Sequence, residues 1–233
     1  MLEKLKSAID KTVKQFHDCP LDFLSERDIQ SLLFAELRHE LSNLRYRFEV
    51  RDVKDRFGYI PAINPVKTEY QLNPEGCGPR VDIAVLSEEQ NPDLNIWRQP
   101  CRLAIEIKLW QPGGPYLDPW DDVQKLKTYW PERKSDAPFA GIAMLFVHPF
   151  ADKWQKGLPD IEKRLEMTAG ISPGPVFQSD GIALHLVTPS DWKQFSISSA
   201  SAVSTLIGES QKSCETASLA ISPASPEEAL LGH

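Results

Sequence analysis

The sequence predicts one α/β domain: a mixed central β-sheet flanked by helices. Three observations carry that prediction. Apolar residues recur at helical spacing through the first 44 positions and again after position 118. Three strand-like runs, 66–72, 80–86 and 103–109, follow one another with no helical pattern between them. A helical segment then separates the third run from a continuously apolar run at 139–147, which calls for a crossover to a parallel neighbour.

Each element has a local reason. Leu2, Leu5, Ile9, Val13 and Phe16 fall at three- and four-residue steps and predict an amphipathic helix over 2–17, closed by Pro20. Ser25 is a good N-cap, with Asp28 three residues on as in a capping box. The stripe Ile29, Leu32, Leu33, Leu37, Leu41, Leu44 then predicts a second helix. The run 66–72 reads as an edge strand, followed by a turn rich in Pro and Gly over 73–79. In 80–86, Val81, Ile83 and Val85 share one face, and Asp82 shares the other with Ala84 and Leu86. Asp118 and Pro119 start a helix reaching about Trp130, with Trp120, Val123, Leu126 and Trp130 on its apolar face. Phe139–Val147 suits a central strand covered on both faces. A helical stretch over 151–168 and a last strand over 181–187 complete the series. The domain is expected to span 1–195, its first helix being an N-terminal extension. Residues 196–233, rich in Ser and Ala, are expected to form a disordered tail.

Composition narrows the function classes. The formal charge is −7, which argues against a nucleic-acid coat protein, basic as a rule. It leaves room for an enzyme whose carboxylates hold metal. In the tail, Glu209, Glu215, Glu227 and Glu228 stand against Lys212 alone. Cys19, Cys77, Cys101 and Cys214 are scattered with no Cys-x-x-Cys pair, so reduced free thiols are expected rather than a zinc site. The first residues lack the apolar run of an export signal, and no stretch approaches the ~18 apolar residues of a membrane span. The expectation is a cytoplasmic protein without a membrane partner.

The chemistry concentrates in Leu103–Leu109. Glu106 and Lys108 lie on one face, about 7 Å apart along the strand, and Leu103, Ile105 and Ile107 on the other. Charge in so apolar a strand is costly unless solvated or used. Two readings follow: a solvent-facing ion pair contributing about 0–1 kcal/mol, or half of a site. Asp82 favours the second, having the right parity on the preceding strand. Glu26, three residues before Ile29 and seven before Leu33, stands at the end of the buried stripe. It can serve such a site, or only the positive end of its helix.

Arg80-Val81-Asp82-Ile83, Glu106-Ile107-Lys108 and Glu26, in that structural setting, resemble the PD-(D/E)XK nuclease superfamily. The resemblance implies a restriction-endonuclease-like αβββαβ core over roughly 22–150. It implies a nuclease dependent on Mg²⁺ or Mn²⁺ and acting on phosphodiesters, DNA foremost, with a homodimer as one possible assembly. Asp82, Glu106 and the Ile107 carbonyl would hold the metal, and Glu26 would complete the site from the helix. Lys108 would assist the attacking water or the transition state. On the following helix Asp122, Gln124 and Lys125 stand where members place a polar residue; Gln124 and Lys125, with Arg80, are candidate substrate contacts. The spacing of Gln124 and Tyr129 is one residue too long for the RecB-like branch. The alternative is a catalytically silent nuclease-like domain that binds protein or nucleic acid. A glycosidase pair would leave Lys108 unexplained.

Other candidates have plainer readings. Glu69 is an acid near Asp82 or a charged edge that resists aggregation. His148, at a strand end, reads as structural, and the tryptophans as packing residues. The basic stretch Arg45–Arg56 could track a phosphate backbone or form a solvated face.

Overall fold

The computed structural model describes residues 1–47, 62–72, 80–89, 99–111, 119–132, 139–151, 163, 171–173 and 181–197. Met1–Ser199 form one compact unit.

Helix α1 (Leu2–Asp18) buries Leu5, Ile9, Val13 and Phe16, the stripe its spacing predicts. A 3₁₀ turn (Pro20–Asp22) leads to α2 (Glu26–Glu40). Asp28 secures the start of α2. Its Oδ2 accepts from the Leu24 N–H at 2.9 Å, the Ser25 N–H at 2.8 Å and the Ser25 hydroxyl at 3.0 Å. The two helices run antiparallel, because the start of α1 meets the end of α2. Lys4 Nζ donates to the Glu40 carbonyl at 2.8 Å, and Lys11 Nζ to Glu40 Oε1 at 2.7 Å.

A two-stranded ribbon pairs β1 (Tyr46–Arg47) with β2 (Ala62–Ile63). Most of the basic stretch between them lies outside the described residues. The main sheet contains β3 (Val66–Gln71), β4 (Arg80–Leu86), β5 (Cys101–Trp110) and β6 (Ala140–Val147). It continues with β7 (Ile171–Pro173), β8 (Gly181–Val187) and β9 (Trp192–Ile197), in the order β3-β4-β5-β6-β8-β9-β7. β3, β4 and β5 form an antiparallel meander. Helix α3 (Pro119–Glu132) makes the crossover, and β6 lies parallel to β5. The chain is therefore mixed α/β, as its element order predicts. Four strands were not foreseen: β1 and β2 of the ribbon, and β7 and β9 of the main sheet. β9 runs antiparallel to β8 and contains the expected domain boundary at 195. The expected 151–168 helix lies almost wholly outside the described residues, as does the tail beyond Ile197.

The sheet is covered on both faces. Ile83, Val85, Leu103, Ile105 and Ile107 pack with α1 and α2. Phe16 meets Phe146 edge-on, ring centres 5.0 Å apart. Ala84, Leu86, Ala104, Ala143 and Leu145 pack with Trp120, Val123 and Leu126 of α3. Val81 departs from the expected alternation and joins this second cluster with Tyr70. The change of face falls beside Glu69, whose φ of 49° bends β3 out of regular strand geometry. Gly141 lets α3 come close: a Cβ there would stand 3.3 Å from Leu126 Cβ and 3.1 Å from Ile182 Cγ1. No helix among the described residues is long and apolar enough to cross a membrane.

His185 on β8 is fully buried, its ring 5.6 Å from that of Trp192. Burial depresses its pKa to about 3. Such a group is neutral when folded, while the unfolded chain takes up a proton near 6.5. Its contribution is whole above pH 6.5 and is lost as pH falls toward 3. His185→Leu should therefore shrink the stability difference between pH 7 and pH 4.5 by roughly 2–3 kcal/mol. Urea unfolding at both values measures it; equal pH slopes in the two proteins would refute the assignment.

Candidate active site

The site grows out of a break in the sheet. β4 and β5 pair as Val85↔Leu103, Ala84↔Ala104 and Ile83↔Ile105. The next level would set Asp82 against Glu106, and the pairing stops there. On the other side of β4, Thr68↔Ile83 and Tyr70↔Val81 are paired but the Glu69–Asp82 level between them is not. One row of the sheet thus carries three acids on three adjacent strands, and both ladders lapse at that row. Like charges placed directly opposite destabilise a ladder.

The lapse frees backbone donors on β5. β5 stays paired to β6 as far as Trp110↔Val147, so its open edge is the one toward β4. The Ile107 N–H donates to Asp82 Oδ2 at 2.6 Å. The Leu109 N–H donates to Glu26 Oε1 across a longer 3.4 Å. Two carboxylates therefore take the place of the missing strand partner. In a strand the N–H and C=O of one residue point to the same side, so the Ile107 carbonyl opens into the same gap.

Helix α2 delivers Glu26 and, one turn on, Gln30, as i,i+4 neighbours on one face. Gln30 Nε2 donates to the Asp82 carbonyl at 2.9 Å and to Glu69 Oε1 at 3.2 Å. Helix α3 delivers Asp122 and Lys125, three apart and likewise on one face. Lys125 Nζ lies 2.7 Å from Glu106 Oε1 and also donates to the Arg80 carbonyl. Lys108 Nζ lies 3.9 Å from Glu26 Oε2.

Burial and crowding set the electrostatics. Glu106 is 1% exposed. Burial pushes its carboxyl up to about 7, against the bond from Lys125 and with the help of Asp82. Asp122 is raised to about 6 by burial, against Lys108 and Lys125. Asp82 is raised by burial, against the Ile107 N–H and the two lysines. Burial works to lower Lys108, but Asp122, Glu26, Asp82 and Glu106 together hold it above the ordinary lysine range. Lys108 is therefore an ammonium at neutral pH, with four carboxylates around it.

Comparison with protein-family models, with curated proteins and with solved structures finds no match for this chain. The reading of the site rests on its own geometry.

That geometry gathers Glu26, Asp82, Glu106, Lys108, the Ile107 peptide and Lys125. Arg80 enters through its carbonyl, its side chain lying exposed. The Gln124 carbonyl accepts from the Thr128 hydroxyl at 3.0 Å, and no hydrogen bond joins Gln124 to the acids among the described residues. Gln30 was not singled out from the sequence, and Asp122 was named there only as one of three polar residues on the following helix, without a role. Their spacings from Glu26 and Lys125 were the available signal. His148 is structural: its N–H donates to the Trp110 carbonyl at 2.9 Å, and its Nδ1 accepts from the Phe150 N–H at 3.2 Å.

Among the described residues, no three His, Cys, Asp or Glu side chains are gathered closely enough to hold a metal ion by themselves. The available donors are two carboxylates and a backbone carbonyl. Hard oxygen donors of that kind suit Mg²⁺ or Mn²⁺, and Mg²⁺ keeps several waters and needs only one or two carboxylates. The charge of Asp82 raises both Glu106 and Asp122, a repulsion that a cation would relieve. The residues therefore fit such an ion in kind and in charge.

Proposed function

We propose that this chain is a metal-dependent nuclease of the PD-(D/E)XK kind, using Mg²⁺ or Mn²⁺ to hydrolyse phosphodiester bonds, with DNA as substrate. One observation carries the reading: the sheet opens at the Asp82–Glu106 row, with the Lys108 ammonium held among carboxylates beside it. Like charges on one row destabilise the ladder, and a cation held between Asp82 and Glu106 gives that costly row a use.

In this reading Asp82, Glu106 and the Ile107 carbonyl hold the cation, and Glu26 closes the site from α2. When bound, the cation supplies neutralisation of the phosphate oxygens and a more acidic water. Lys108 supplies a fixed positive charge where the pentavalent phosphate gathers negative charge. The carboxylates around it favour the protonated form, which suits the role of a positive charge beside the phosphate. Asp82 has a second task, because its bond to the Ile107 N–H keeps that peptide at the mouth of the gap. Gln30 steadies the Asp82 backbone from behind.

A silent binding module is the second reading. It is favoured by the Lys125–Glu106 ion pair, which occupies a carboxylate only 1% exposed, and by the lack of a three-residue ligand group among the described residues. The two readings part in one assay. Purified protein with 5–10 mM Mg²⁺ or Mn²⁺, concentrations on the order of those ordinary for such ions, should cut plasmid or single-stranded DNA. Chelation should stop the cut and added metal restore it. DNA bound equally with and without metal, and never cut, would establish the silent module.

A further inference from the structure

The second lysine of the site has no counterpart in the proposed chemistry. Lys108 already supplies the positive charge near the reacting phosphate, and its close acid is Glu26, not Glu106. Lys125 instead pairs with Glu106 Oε1 at 2.7 Å, on a carboxylate almost wholly removed from water. Its other partner is the Arg80 carbonyl, so the ammonium is fastened between the start of β4 and the middle of β5. It lies against Oε1, one of the two Glu106 oxygens a cation could take.

We infer that Lys125 is the site's resident counter-cation: it holds Glu106 in the metal-free chain and surrenders it when a divalent cation enters. The inference rests on the metal-dependent reading above and adds a competition within it. A carboxylate buried to this degree is costly without a positive partner, so the metal-free fold needs one. A divalent cation on the same oxygen would repel the ammonium strongly, so a cation that takes Oε1 displaces it. Lys125 is suited to the exchange. Its side chain keeps about a fifth of its surface in water, and a four-carbon stem lets the ammonium swing without moving α3. α3 itself is held close to the sheet where Leu126 fits over Gly141. Once displaced, the ammonium is a free donor at the rim of the gap, where a phosphate oxygen of the substrate would lie. The cation would thus be coupled to the substrate: its arrival turns an internal counter-ion into a phosphate contact.

Calorimetric titration with Mn²⁺ in the absence of nucleic acid tests this. Lys125→Met should bind Mn²⁺ at least about tenfold more tightly than wild type, and Lys125→Gln, which can still hydrogen-bond Glu106, should gain in the same direction. Lys125→Arg, which keeps the charge, should show no gain. With Ca²⁺ present, Lys125→Met should bind a phosphodiester oligonucleotide more weakly than wild type. Equal or weaker Mn²⁺ binding by both uncharged variants, with wild-type binding intact and lost in Glu106→Gln, would overturn the inference and leave the metal site standing. No Mn²⁺ binding by any of the proteins would remove both. Tight binding by the uncharged variants beside weak binding by wild type would establish the competition.

Discussion

Lys108→Met should slow phosphodiester cleavage by about a thousandfold and leave Mn²⁺ binding in place. The methionine keeps most of the stem that fills the space and removes only the ammonium. Asp122, Glu26, Asp82 and Glu106 together favour its charged form, so a positive charge stands where negative charge grows. An interaction made in the transition state and not in the ground state lowers kcat and kcat/KM alike. The expected signature is therefore a fall in kcat with little change in KM. Calorimetry should still register Mn²⁺, because the proposed ligands are untouched. Cleavage within about tenfold of wild type would show that Lys108 is only a counter-ion. Loss of metal binding would show that it shapes the ligand set.

Glu106→Gln should abolish cleavage and yet make the metal-free protein more stable at pH 8. The sign follows from the direction of the shift. The folded pKa of about 7 lies above the unfolded value, so the folded state binds the proton more tightly. The cost of the ionised form is absent below about pH 4.5. It grows as pH rises toward 7 and is full above it. A glutamine never ionises and never incurs it, so the variant should gain roughly 2–4 kcal/mol at pH 8. Near pH 4.5 the two proteins should be alike. Urea unfolding at the two pH values measures the difference. Mn²⁺ should raise the unfolding midpoint of wild type at pH 8 and leave that of the variant unmoved. A variant less stable than wild type at pH 8 would mean that the ion pair to Lys125 outweighs the burial of Glu106.

Much of this arrangement was legible in single residues. The shared face of Glu106 and Lys108, opposite Ile105 and Ile107, needed nothing beyond strand alternation, and the stripe from Ile29 placed Glu26 at the sheet-facing end of α2. The antiparallel meander and parallel crossover followed from the order of the runs. Other features were hidden for physical reasons. Trp192–Ile197 buries only alternate side chains and has one apolar face, so it reads as ordinary surface until β8 is there to pair with it. Val81 changes face beside the bend at Glu69, and a left-handed glutamate is a tertiary effect that no local preference announces. The lapse at the acid row is also non-local: it needs Glu69, Asp82 and Glu106 to arrive at one level from three strands. Gln30 was visible only as a spacing from Glu26, and Asp122 only as one of three polar residues on its helix; both acquire meaning once a partner stands opposite.

The break at the acid row has a consequence for how the protein must be dissected. A sheet opened in its middle exposes backbone donors as an outer edge does, and an unsatisfied edge invites foreign strands. Here Asp82 and Glu26 plug that interior edge through Ile107 and Leu109. Removing either side chain takes away a proposed ligand and unplugs the edge in one stroke. An alanine scan would then score lost folding or self-association as lost catalysis. Asp82→Asn and Glu26→Gln, which retain an acceptor oxygen while discarding the charge, separate the two roles.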